Sequence, residues 1–173
     1  MTKSILRKYA KLIVQMGVNI KKGQGAVILA DTAQSEIALM VAEEAYRAGA
    51  KWVDIRWTNQ DLDKMRYKKE SVKVLSATQE WEKARMQYEL DELPVRIWID
   101  SDDPDGLKGV NVEKMQKANL ARMKVRKPYR DAMENKYQWT IVAVPSATSG
   151  ASRPCPAWHG RRRCSRTTAR AWR

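Results

Sequence analysis

At 173 residues, 43% of them apolar, the chain is the size of one ordinary domain and can fill one core, which excludes two full domains. No run of 18 apolar residues occurs, and Lys3, Arg7, Lys8, Lys11, Lys21 and Lys22 interrupt the first 30 positions. The sequence therefore reads as cytoplasmic, with neither a membrane span nor a secretory signal. The formal charge of +13 is unevenly spread: residues 149–173 carry seven Arg and no acid, so the first 148 hold 26 basic against 20 acidic groups, or +6. The absence of any acid before Asp31 imitates a mitochondrial transit peptide, but Gly23 and a strand follow without a cleavage-like break.

Taken in chain order, helical and strand patterns alternate from Ser4 to Val144, the signal of an α/β domain with a mostly parallel sheet of about four strands flanked by helices. A first helix is expected over 3–16, with Ile5, Tyr9, Leu12, Ile13 and Met16 on its buried stripe. The turn Lys22-Gly23-Gln24-Gly25 leads into a strand at 26–29. A second helix follows over 33–48, with Thr32 as its N-cap, Ile37, Met40, Val41, Ala45 and Ala48 facing inward, and Gly49 at the left-handed C′ position. The strand at 52–57 completes a βαβ unit, whose crossover should be right-handed. Helices at 61–68 and 79–90 lead to a strand at 95–100. Asn111 then caps a long helix that Pro128 should kink or end. The last strand, 139–144, is nearly all apolar, as in a strand covered on both faces.

The tail obeys none of these rules. Residues 149–173 have no apolar period, and their Arg, Ala, Pro, Ser, Gly, Cys and Trp are what GC-rich codons yield out of frame. The expected organisation is an α/β domain over 1–148 and a disordered, Arg-rich tail without a core over 149–173. A frameshift near Thr148 would account for the tail.

Few residue groups offer chemistry. The acidic loop Asp100-Ser101-Asp102-Asp103-Pro104-Asp105-Gly106 sits at a strand C-terminus, where open α/β sheets place ligands. An EF-hand register starting at Asp100 fails, because it puts Pro104 at a ligand position and Asp105 where glycine belongs. A solvated turn is the better reading. The loop after the first strand, Ala30-Asp31-Thr32-Ala33, lacks the glycines that a dinucleotide site needs. Over 114–130, Lys114, Lys117, Arg122, Lys124, Arg126, Lys127 and Arg130 occur without an acid; a solvated helix face is favoured over a phosphate-binding one. Cys155, His159 and Cys164 lack zinc-site spacing. Residues 1–148 contain neither Cys nor His, which leaves only carboxylates, Lys or Tyr for catalysis there.

Three segments together resemble a known family. These are LRKYAKLIVQMGVNIKKGQ at 6–24, AEEAYRAGAKWVDIRW at 42–57, and DPDGLKGV at 103–110 followed by WTIVAVPS at 139–146. Their order and spacing resemble the N-terminal domain of the thermophilic-type metallo-aminopeptidases, the aminopeptidase T, aminopeptidase S and PepS family, over about residues 4–148. The resemblance implies a cytoplasmic, usually homodimeric exopeptidase that removes N-terminal residues from peptides with a two-metal centre of zinc, cobalt or a similar divalent ion. It also implies that the metal ligands and an assisting tyrosine lie in a C-terminal domain. None of them maps onto this chain, so no catalytic, cofactor-binding or metal residue is assigned.

The expected protein is thus an N-terminal aminopeptidase domain, truncated, holding no metal and inactive alone. It should expose apolar surface and self-associate. Two other readings compete with it. One is a basic protein that grips nucleic acid with the 114–130 helix and the Arg-rich tail. The other is a self-contained metal enzyme built on the acidic loop.

Overall fold

The computed structural model describes residues 2–100 and 105–144. They form four parallel strands in the order β2-β1-β3-β4: β1 (Gly25–Asp31), β2 (Trp52–Thr58), β3 (Val95–Asp100) and β4 (Trp139–Ala143). Six α-helices connect or precede them: α1 (Lys3–Leu12), α2 (Ser35–Arg47), α3 (Gln60–Lys69), α4 (Val72–Ser76), α5 (Glu80–Glu92) and α6 (Val112–Met133). The α/β architecture read from the alternating patterns is the one observed. The tail expectations concern residues 145–173, which lie outside the described residues.

The strand registers sort side chains onto two unlike faces. Ile28 pairs with Ile55 and Ile97, and Ile99 with Val142, which puts Ala26, Ile28, Ala30, Val53, Ile55, Val95, Ile97, Ile99 and Val142 on one side. That side is closed by Leu6, Ala10, Ile13 and Val14 and by Ile37, Ala38, Val41 and Ala45 of α2 to make the dry core. Each fully buried Val, Leu or Ile contributes about 1.5–3 kcal/mol, so this one layer dominates the stability. The opposite face carries Leu29, Asp54, Arg56, Arg96, Trp98, Trp139 and Ile141, with α5 and α6 packed over part of it.

The helix ends show which local rules win. At the end of α2, Gly49 adopts φ +96° and its N–H donates to Tyr46, while the Ala50 N–H reaches back to Ala45. That is a Schellman closure with glycine where the sequence places it. The start of α2 differs from expectation. Asp31, extended at φ −71° and ψ 148°, caps a 3-10 turn (Thr32–Gln34) by accepting from the Ala33 N–H at 2.9 Å, and the α-helix begins at Ser35. Thr32 is not the cap; its hydroxyl instead accepts from the Asn59 amide at 2.9 Å.

Three further expectations are corrected. Of the expected stripe of the first helix, Ile13 is buried and Tyr9 packs part-buried against the core, but Ile5, Leu12 and Met16 are exposed, Met16 by 76%, and Leu6, Ala10 and Val14 face inward instead. Both rows have helical period, and the methyl side chain of the fully buried Ala10 lets the backbone approach the core closely. After Leu12 the helix widens into a π turn (Ile13–Gly17), in which the Val18 N–H donates to Ile13 at 3.0 Å. Helix α6 runs on through Pro128 to Met133, leaving only the carbonyl one turn back without its donor. Finally, β4 is covered on one face only, with Trp139 59% and Ile141 61% exposed.

Gly25 is fixed by close approach. A Cβ there would stand 2.3 Å from the Trp52 ring, which packs against Tyr88 with centroids 5.9 Å apart. Gly25→Ala should destabilise the fold by about 1–3 kcal/mol through overpacking, read as a lower urea midpoint with an unchanged slope. An unshifted midpoint would show that Trp52 moves aside freely.

Candidate functional site

Two regions merit attention: the carboxyl edge of the sheet and the charged face beneath α5 and α6. At the edge, β1 ends in Asp31 and β3 in Asp100, on adjacent strands. Asn59 accepts from the Leu62 N–H at 2.9 Å and so caps α3, while its amide ties that helix to Thr32. Gly106 lies against α3 so closely that a Cβ would fall 2.2 Å from the Gln60 amide. The Val144 N–H donates to the Asp100 carbonyl at 3.2 Å. Of the acidic loop, Ser101, Asp102, Asp103 and Pro104 lie outside the described residues.

No group of three or more His, Cys, Asp or Glu able to hold a metal occurs among the described residues. The carboxylates present have other work. Asp31 caps a turn, Asp54 pairs with Arg56 at 2.9 Å, and Asp131 with Lys127 at 2.5 Å. Among the described residues the donor set therefore does not fit a two-metal centre.

The charged face is where the structure departs most from the sequence reading. Glu89 on α5 is almost fully buried and accepts from Arg56 of β2 through one oxygen and from Arg96 of β3 through the other. Seven residues earlier on the same helix, Glu82 accepts from Arg122 of α6 at 2.5 Å and from the Gln79 backbone N–H at 2.9 Å. Burial pushes the Glu82 pKa up, but the Gln79 N–H and the Arg122 guanidinium outweigh it and hold it below its ordinary value. Burial, reinforced by the Arg122 cation, lowers the pKa of Arg126.

Arg122, Arg126 and Arg130, four apart on α6, lie on the side that faces α5 and the sheet, Arg122 part-buried on Glu82 and the other two 54% and 62% exposed. Sequence reasoning missed Arg56, Arg96, Glu82 and Glu89 as a group. The available signal was charge alternating with apolar residues in strands whose fold class requires helices on both faces.

The architecture defines an α/β module with a parallel sheet. A family model described as thermophilic metalloprotease (M29) matches residues 2–154, and the chain belongs to that family. It is 32% identical over 143 residues to aminopeptidase PepS of Streptococcus thermophilus and 30% identical over 143 residues to aminopeptidase AmpS of Bacillus subtilis. Each match covers 82% of this chain and 35% of the relative. Wild-type AmpT from Thermus thermophilus superposes with a TM-score of 0.73 at 29% identity, over 82% of this chain and 36% of that one. The chain thus spans about a third of the length of the curated relatives it matches.

Two outcomes follow from the ion pairs. Glu89→Gln should cost about 3–5 kcal/mol in urea unfolding, because it strips Arg96 of its counter-charge and leaves Arg56 only the partly exposed Asp54. Because the folded pKa of Glu82 is depressed, its stabilisation is complete above the unfolded value of about 4.3 and is lost as pH falls through the folded value. Between those two values, the unfolding free energy of wild type should fall more steeply with falling pH than that of Glu82→Gln; parallel curves there would contradict the assignment.

Proposed function

We propose that this chain is the N-terminal module of a metal-dependent aminopeptidase that removes N-terminal residues from peptides. The family match over residues 2–154 carries the reading. The metal-binding residues are assigned to the part of the family that this chain does not match, and the 173-residue chain is read as inactive by itself. A divalent ion such as zinc or cobalt belongs to the complete enzyme, in which it would polarise the scissile carbonyl and supply hydroxide. The complete enzyme is read as a cytoplasmic homodimer. No helix among the described residues is long and apolar enough to cross a membrane.

The Arg-rich segment over 149–173 is read as the product of a frameshift near Thr148, beyond which another reading frame would continue the α/β pattern.

The test has two arms. The 173-residue chain, supplied with zinc or cobalt, should not hydrolyse aminoacyl nitroanilides; turnover would overturn its inactivity. A chimera carrying residues 1–144 in place of the matching segment of aminopeptidase PepS should hydrolyse them. A folded, metal-loaded but inactive chimera would sink the module reading.

A further inference from the structure

Two cavities open on the charged face and share Leu29, Trp98 and Arg130 in their walls. The inner one, about 310 Å³, lies between α5, α6 and the sheet. The outer one, about 700 Å³, continues over Trp98, Trp139 and Ile141. Trp98 and Trp139 meet edge to face there, with ring centroids 6.4 Å apart.

Charge in the inner wall does not balance. Arg56, Arg85, Arg96, Arg126 and Arg130 line it against Glu82 and Glu89, and of the carboxylates just outside, Asp54 pairs with Arg56 and Asp131 lies 3.7 Å from Arg130, which leaves Arg85, Arg96 and Arg126 in excess. Both carboxylates are already engaged, Glu89 by Arg56 and Arg96, and Glu82 by Arg122 and the Gln79 N–H. What is left over is donor capacity. The Nε atoms of Arg85 and Arg96 are buried with no hydrogen-bond partner among the described residues. Arg85 Nε stands 3.9 Å from the Glu89 carboxylate, too far for a hydrogen bond. Arg126 is likewise 3.9 Å from Glu82, and Arg130 is 3.7 Å from Asp131. The lowered pKa of Arg126 has the same origin, in burial and the repulsion of Arg122. An oxyanion accepts from several guanidinium groups at once and relieves both deficits.

We propose that this groove binds an organic phosphate, its phosphoryl group held by Arg85, Arg96, Arg126 and Arg130 and its apolar, ring-like body laid against Trp98, Trp139 and Ile141. The site is independent of the aminopeptidase reading, since neither a metal nor a peptide bond enters the argument.

Calorimetric titration of the 173-residue chain at low ionic strength tests it, with phenyl phosphate and inorganic phosphate as probes and sodium chloride as the matched-ionic-strength control. Phenyl phosphate should bind saturably and at least ten-fold more tightly than inorganic phosphate. The double variant Arg126→Gln/Arg130→Gln should weaken both by ten-fold or more. Trp139→Ala should weaken phenyl phosphate alone. All three side chains are half or more exposed, so these variants should retain the wild-type circular dichroism melting curve. Equal affinity for the two phosphates would overturn the apolar half of the site. Chloride matching the effect of phosphate, or no heat with either probe, would overturn the site altogether.

Discussion

The carboxylate of Glu89 holds together the side of the molecule that apolar packing leaves unfinished. Arg56 and Arg96 stand on the strands either side of β1, opposite Leu29 and Val27. One buried side chain of α5 therefore spans the central strand and fastens both of its neighbours. Glu82 extends the same device to α6 through Arg122. Removing water from these charges is costly, so each partner is tolerated only while the others remain. The positions of α5 and α6, and hence the two cavities beside them, follow from this arrangement.

The two faces illustrate different means of closing a sheet. Around Ile28, Ile97 and Val41 the contacts are apolar and non-directional, and exclusion of water suffices. Around Glu89 they are directional, and a shift of an ångström would break a hydrogen bond rather than loosen a contact. Coverage also ends sooner on that side, since Trp139 and Ile141 project beyond the helices. The two relatives matched over 143 residues are more than twice as long as this chain.

Much of this was legible in the sequence because period and punctuation agree there. Strands β2 and β3 announce themselves by alternation, and Gly49 by its place after an amphipathic run. The inward row of α1 was misread because Ile5, Leu12 and Met16 offer a second apolar row, and size alone does not reveal that Ala10 is the residue at the point of closest approach. Thr32 is not the cap because Asp31 and Thr32 are both competent acceptors: Asp31 caps the 3-10 turn that precedes α2, while Thr32 is taken by the neighbouring Asn59. Arg56 and Arg96 look like solvent-facing positions in any strand read singly. Only the pairing of both strands with one helix, through a glutamate 33 residues from Arg56 and 7 from Arg96, makes them interior. The resemblance carried the family, while no chemistry-bearing residue of the shared segment carried an activity.

The π turn at the end of α1 has an evolutionary consequence. It places one more residue in the turn than an α-helix would, between Ile13 and Val18, with buried side chains on both sides of it. Loss of a single residue within that turn would restore ordinary α geometry without rephasing either flank. Position 13–17 is therefore a seam at which related chains can differ in length by one while their cores superpose.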